Sequence, residues 1–275
     1  MQIFLQLSPQ AQVFLVAVFG LIFGSLGSLI SYRLSNVEPL EGKISLGRSI
    51  VFTRSKCASC AAVLNSFNLI PLISWILQRG KCTKCHAKIS WRYPLMELSF
   101  LSAFLAIFFV LNGQLDWKMI LYFLIAGTLI VMCAIDLEHY FIPDSTQYFL
   151  TILVTMLVIL EHGIPAVWPH VGSAFVYLGF GLALFVFFYY TAGLEAIGVD
   201  DFKFFFVTGF MLGMENFLAF MMLSGICGVV FGSLWQKLKK DETFPFAPAI
   251  CFSAFVCMLF GKRLDPVELI GSLIF

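Results

Sequence analysis

The sequence predicts an all-α polytopic membrane protein with about eight transmembrane helices and a small cytoplasmic zinc-knuckle insert. Three observations lead to this prediction. The 275-residue chain is 60% hydrophobic and 12% charged, whereas about 25% of residues are charged in ordinary soluble domains. The charged residues are clustered, which leaves eight long uncharged runs between them. Four of the eight cysteines form two Cys-x-x-Cys pairs within one polar segment.

The composition also excludes several classes of protein. So much apolar sequence argues against a soluble enzyme and against a disordered chain. The net charge of +1 gives no reason to expect nucleic acid or another polyanion. We therefore expect membrane lipid as a partner and no nucleic acid.

Each uncharged run is a candidate membrane helix, because most of them approach the ~17–25 residues that span a bilayer. The run 204–214 is shorter and needs neighbouring residues or a buried position. The first run lacks a basic start and exceeds the apolar length of a signal peptide, so it is predicted to be a retained span. The runs cover residues 1–32, 98–115, 119–135, 145–160, 171–194, 204–214, 216–236 and 243–261.

The charges between the runs predict the orientation and the organisation. Residues 33–95 contain ten Lys or Arg and two acids, which predicts that this segment is cytoplasmic and that the N-terminus lies outside. The predicted parts are a first transmembrane helix at 1–33, a four-cysteine insert at 34–95 and a transmembrane bundle at 96–275.

The cysteine insert predicts a metal site. Cys57 and Cys60 form the first pair, Cys82 and Cys85 form the second, and 21 residues separate the pairs. This spacing suits two zinc knuckles that close one tetrahedral four-thiolate site. Four unliganded thiols or a redox-active pair are the alternatives, and a reducing cytoplasm disfavours the redox pair. His86 could replace one cysteine, although four thiolates suffice.

Acidic residues stand directly at the edge of two apolar runs, one after a run and one before a run. Asp136 ends the run 119–135 and opens a loop that reaches Asp144, and Asp201 lies in the segment from Gly198 to Lys203. Span parity places both groups at the cytoplasmic edge, where ionisable residues are costly and are functional candidates. Two converging carboxylates share a proton, so one can activate water while the other polarises a carbonyl. The alternative is that these acids are only solvated at the interface.

Three supporting residues belong to the same two loops. Gly198 would allow the backbone to approach a substrate closely. Lys203 would add positive charge near Asp201, and Asp144 is a further candidate, for which simple solvation is the alternative. Glu97, at the entry to the next span, could be functional or a solvated acid at a helix end.

Several segments resemble the type IV prepilin peptidases, in order and along nearly the whole chain. The resemblance includes the paired Cys-x-x-Cys insert and the two aspartate loops. The other matching segments are Gly24-Ser25-Leu26-Gly27-Ser28, Tyr32-Arg33-Leu34, Asn68-Leu69-Ile70-Pro71-Leu72-Ile73-Ser74-Trp75, Arg79-Gly80-Lys81-Cys82 and Ile89-Ser90-Trp91-Arg92-Tyr93-Pro94.

The resemblance implies a bifunctional enzyme of the bacterial inner membrane. Asp136 and Asp201 would be the catalytic aspartates, and the four cysteines would bind zinc. Members of this family cleave the short basic leader of prepilins and pseudopilins on the cytoplasmic side. They then methylate the new N-terminus with S-adenosylmethionine.

Two positions depart from the family pattern. Asp200 stands where the family has the second Gly of Gly-x-Gly-Asp-x-Lys, which removes backbone freedom and adds a charge that could raise the pKa of Asp201. Ala247 replaces Gly in the segment Pro245-Phe246-Ala247-Pro248. Two rival functions remain at this point, namely a proton-coupled transporter that uses the two aspartates and a thiol oxidoreductase that uses Cys-x-x-Cys.

Overall fold

The computed structural model describes residues 7–37, 57, 59–65, 70–111, 113, 116–192, 198–239 and 244–261. These residues form nine α-helices and two short 3-10 turns, and Lys81 and Lys88 form an isolated antiparallel bridge. The helices are α1 (Pro9–Val37), α2 (Ile73–Leu77), α3 (Arg92–Val110), α4 (Trp117–His139), α5 (Asp144–His162), α6 (Val167–Ala192), α7 (Val199–Leu212), α8 (Phe217–Lys239) and α9 (Ala247–Phe260).

The chain divides into two compact units, Met1–Met119 and Ile120–Phe275. The first unit contains the cysteine pairs together with the long helices that flank them, α1 and α3. The second unit contains α5 to α9 and nearly all of α4. The three-part division at residues 33 and 95 stays a prediction.

In the first unit, α1 packs closely against α3 through a row of glycines. A Cβ atom added to Gly24 would lie 2.6 Å from the Cα atom of Glu97, and one added to Gly20 would lie 2.9 Å from the Cα atom of Leu101. At Gly27 the same atom would meet the ring of Phe100. Small residues spaced in this way let membrane helices approach at backbone distance. The helical glycines of the first run therefore determine how α1 meets α3.

In the second unit, several helix ends lie together. The end of α4 is bonded to the start of α9, and the start of α5 is bonded to the start of α7. Gly209 of α7 lies against the buried ring of Tyr177 on α6, where an added Cβ would come within 2.6 Å of that ring. This contact brings α6 and α7 close to each other. The acidic residues of the two predicted loops all lie at the shared end.

The predicted count of eight spans is too high for the part of the chain that the structure describes. Six helices are long and apolar enough to cross a membrane: α1, α3, α4, α5, the segment Ile164–Thr191 and the segment Met214–Lys239. The other two, α7 and α9, have 14 residues each, and at ~1.5 Å per residue they extend only ~21 Å. A bilayer core is ~30 Å thick, so these two helices are too short to span it.

The surface of the helices agrees with a lipid environment. Large apolar side chains are exposed along the long helices, including Phe14 of α1, Phe175 of α6 and Met222 of α8. Apolar exposure along so many helices is unusual for soluble monomers. The protein is therefore a multi-pass membrane protein.

The glycine contact between α1 and α3 gives a first prediction. Gly24→Ala should destabilise the protein by about 1–3 kcal/mol, because the new methyl group meets backbone that cannot move aside easily. Gly179→Ala on α6 is the matched control, since an added Cβ there has no neighbour within 4 Å. Thermal unfolding in detergent measures both variants, and equal melting temperatures would contradict the prediction.

Candidate active site and metal centre

Asp136 lies in the last turn of α4 and is bound by the backbone of another helix. The turn ends at Tyr140, whose φ of 58° is left-handed and whose N–H donates to the Asp136 carbonyl at 2.9 Å. The Asp136 side chain is 6% exposed. Its Oδ2 accepts the N–H of Ala247, the first residue of α9, at 3.0 Å. The N-terminus of α9 therefore fixes one carboxylate.

Asp201 lies in the first turn of α7 and is bound by the residue that precedes this helix. Its Oδ2 accepts the N–H of Gly198 at 3.1 Å, and its own N–H donates to the Gly198 carbonyl at 3.2 Å. This reciprocal pair satisfies two groups that a helix start leaves without partners. The second carboxylate is therefore fixed by the N-terminus of α7.

Asp136 and Asp201, here called the aspartate pair, influence each other electrostatically. Burial raises the pKa of Asp201 to about 7, and the charges of Asp136 and Asp200 act in the same direction, while the hydrogen bond from Gly198 opposes them. Two carboxylates that are 65 positions apart in the sequence therefore lie within electrostatic reach of each other. Near neutral pH such a pair holds one proton between its members.

Lys203 forms a bridge between two other acids beside the pair. Its Nζ lies 2.6 Å from Oδ1 of Asp144 and 3.3 Å from Oδ1 of Asp200. Lys203 was expected beside Asp201, but its charge is placed on these two neighbours. The bridge joins the first turn of α5 to the first turn of α7.

The departures from the family pattern have local explanations. Asp200 lies in the first turn of α7 with an ordinary helical backbone, where a negative charge favours the helix start. Gly198 has a φ of −75°, so its conformation does not require glycine. Ala247 replaces the glycine of the family pattern, and its N–H still donates to Asp136. This backbone contact was not predicted from the sequence.

A glycine on α8 makes room for the segment that carries Ala247. An added Cβ at Gly228 would lie 2.7 Å from the ring of Phe246, the residue before Ala247. The Phe246 ring packs there because Gly228 has no side chain. This contact helps to fix the N–H that Asp136 accepts.

The four cysteines of the insert form one cluster in the first unit. The Sγ atoms of Cys57, Cys60, Cys82 and Cys85 all lie within 4.8 Å of one another, and those of Cys57 and Cys85 are 3.9 Å apart. At a Zn–S distance of ~2.3 Å, tetrahedral geometry separates the sulfurs by ~3.8 Å. The cluster therefore fits one tetrahedral zinc ion, and His86 is not part of it.

The two Cys-x-x-Cys pairs have the same backbone turn. Cys57 donates its N–H to the Ala62 carbonyl and accepts the N–H of Ala61, which has a φ of 53°. In the second pair, Cys82 makes these bonds with Ala87 and His86, and the φ of His86 is 56°. Each turn directs two thiols to the same point, as a zinc knuckle requires.

The backbone of the first turn favours the thiolate form of its leading cysteine. Hydrogen bonds from the N–H groups of Cys60 and Ser59 lower the pKa of Cys57 to about 6. The thiolate is the form that binds metal. The turn therefore favours the form of Cys57 that would bind a metal ion.

A second polar cluster lies where α1 meets α3, next to the insert. Glu97 is 7% exposed and its Oε2 accepts the N–H of Leu72 at 2.7 Å. Arg92 donates to both Ser28 and Ser31, and the bond to Oγ of Ser31 is 2.7 Å long. Glu97 is therefore a buried acid that holds the segment before α2, not a solvated one.

The fold and the site together define a polytopic membrane protein with paired aspartates at helix ends and a separate four-cysteine cluster. Two family models match this chain: the bacterial peptidase A24 N-terminal domain at residues 18–111 and the type IV leader peptidase family at residues 123–233. The first match contains the cysteine cluster, and the second contains the aspartate pair. No solved structure matches the chain.

Curated relatives match over nearly the full length. A prepilin leader peptidase/N-methyltransferase of Stutzerimonas stutzeri is 30% identical, with 95% of each chain covered. One from Bacillus subtilis strain 168 is 31% identical, covering 90% of this chain and 94% of the relative. One from Pseudomonas aeruginosa is 27% identical over 93% of both chains. The chain belongs to the prepilin leader peptidase/N-methyltransferase family.

The cysteine cluster predicts one zinc ion per chain. Elemental analysis of the purified protein should find about one zinc, and Cys82→Ser should abolish that stoichiometry because three thiolates no longer close a tetrahedral site. Cys227→Ser is the matched control, since Cys227 lies on α8, outside the cluster. A zinc-free protein with all four thiols titratable would contradict this prediction.

Proposed function

We propose that this protein is a membrane aspartic endopeptidase that cleaves the leader of prepilins or pseudopilins and then methylates the new N-terminus. The single observation that supports the peptidase activity most strongly is the aspartate pair. Its two carboxylates come from α4 and α7, lie close enough to influence each other electrostatically and each accept a backbone N–H.

The aspartate pair provides the general base and the general acid that hydrolysis of a peptide bond requires. One carboxylate, in the ionised form, removes a proton from a water molecule that attacks the scissile carbonyl. The other, which carries the shared proton, donates it to the carbonyl oxygen as the tetrahedral intermediate forms. Because one oxygen of each carboxylate is held by Gly198 or Ala247, both side chains are oriented before the substrate binds.

A proton-coupled transporter is not supported. Transporter sites lie near the membrane midplane, whereas Asp136 ends α4 and Asp201 begins α7. The relatives that match over 90–95% of this chain carry the names of peptidases and methyltransferases. The geometry of the cysteine cluster likewise supports a zinc site over a thiol oxidoreductase.

The proposed location of the site is the cytoplasmic face of the bacterial inner membrane. Ten Lys or Arg in residues 33–95 against two acids favour the cytoplasm for the insert. Chain parity then brings the end of α4 and the start of α7 to the same face. A basic leader that remains in the cytoplasm would be accessible there.

The second activity is proposed from membership of the family, with S-adenosylmethionine as the methyl donor. Many nucleotide sites use a glycine-rich turn between a strand and a helix. The described residues form helices and isolated bridges but no strand, so they do not provide such a turn. We therefore assign no residue to this cofactor and derive no step through it.

The aspartate pair gives the central test. Asp136→Asn and Asp201→Asn should each reduce cleavage of a synthetic prepilin in membranes by at least about a hundredfold, because each removes one acid–base group. Glu215→Gln is the matched control: it changes an exposed acid beyond the opposite end of α7. Full activity of either aspartate variant would refute the assignment.

Methylation is tested on the same reaction. With S-adenosylmethionine present, mass spectrometry of the product released by the wild-type protein should show one added methyl group at the new N-terminus. An unmodified N-terminus after normal cleavage would remove the second activity and leave the peptidase proposal intact.

A further inference from the structure

We propose that Gln147 binds the substrate backbone beside the aspartate pair. Its side-chain carbonyl oxygen, Oε1, would accept a hydrogen bond from a backbone N–H of the peptide within two residues of the scissile bond. This inference rests on the proposed peptidase function. It assigns a residue that neither the predicted site nor the family resemblance includes.

The position of Gln147 places its amide next to the segment that carries Asp201. Gln147 lies in the first turn of α5, three residues after Asp144, and is 3% exposed. Its Nε2 donates to the backbone carbonyl of Asp200 at 3.4 Å. Asp200 immediately precedes Asp201, so the amide of Gln147 is bonded to the neighbour of a catalytic carboxylate.

The other half of the same amide has no partner. Oε1 of Gln147 is fully buried, and no donor among the described residues forms a hydrogen bond with it. The amide cannot be reversed to solve this, because Oε1 would then face the Asp200 carbonyl and two acceptors would meet. Leaving a buried acceptor without a donor is costly, and such groups are uncommon in native structures.

The surroundings indicate which donor would fit. Lys203 is the charged donor nearby, and its Nζ is already bound to Asp144 and Asp200. A peptide that lies across the aspartate pair in an extended form presents backbone N–H groups that need acceptors once water is excluded. A neutral amide carbonyl can accept such an N–H without adding charge to the aspartate pair. A substrate N–H is therefore the donor that we infer, and it reaches Oε1 once the side chains that cover this atom move aside.

An ester scan tests the inference on the unmodified protein. Synthetic prepilin peptides carry one ester each in place of a backbone amide near the scissile bond, so that each lacks a single N–H. We expect one position to lose about tenfold in kcat/KM, as expected when a buried acceptor loses its donor. If no position loses more than twofold, the inference is overturned without any protein variant.

Gln147→Met then identifies the partner of that N–H, because methionine has a similar length but no amide. The variant should lose about tenfold in kcat/KM on the all-amide peptide and lose nothing further on the sensitive ester. Thr151→Val is the matched control one turn along α5, because its hydroxyl already bonds the Gln147 carbonyl of the helix backbone. It should retain the ester penalty of the wild type.

The outcomes separate this inference from the proposed function. Failure of the wild-type protein to cleave the all-amide peptide would refute the peptidase itself. A second outcome is that the wild-type protein cleaves normally, but the losses of kcat/KM from the ester and from Gln147→Met multiply at every position. This outcome would refute only the role of Gln147 in substrate binding and would indicate a structural residue. Melting temperatures measured in detergent ensure that the compared variants are folded.

Discussion

The site depends on two backbone N–H groups that each hold one oxygen of an aspartate carboxylate. Ala247 supplies one from the start of α9, and Gly198 supplies the other just before α7. Placing two acids in so apolar an environment is costly, because each loses hydration and each repels the other. The donors at the helix starts offset part of that cost where the charge lies. These two donors therefore fix the positions of both carboxylates.

The arrangement also explains why the charged residues beside the aspartate pair are themselves paired. Lys203 joins Asp144 to Asp200 and so connects the first turns of α5 and α7. The pairs are exposed, and exposed ion pairs contribute little to stability. Their contribution is better understood as one of position, because the bridge fixes the turn that carries Asp201 relative to the turn that carries Gln147.

The site residues depend on local sequence pattern, whereas the number of spans depends on helix length. The spacing of the cysteines predicted a cluster of four thiols, which the structure contains, and the catalytic roles of Asp136 and Asp201 at the edges of apolar runs stay a prediction. The count of eight spans was too high because an uncharged run indicates apolar sequence and not the length of the helix. Ala247 was not recognised because a backbone N–H leaves no trace in residue type. Gln147 was not recognised because its importance depends on which atom finds no partner, and only the packed structure shows that.

The duplicated turn of the cysteine insert has a consequence for the segment between its halves. Each half supplies two sulfurs, so an ion bound by all four ties Cys60 to Cys82 and closes the intervening 21 residues into a ring. That ring contains α2 and Trp75, whose indole lies against Trp91 with centroids 4.3 Å apart. Closing a ring lowers the entropy of the unfolded chain. A bound metal ion would therefore stabilise the contact between Trp75 and Trp91. It would also stabilise the position of Leu72, whose N–H donates to Glu97 of α3. Loss of the metal would weaken both contacts between the insert and the start of α3.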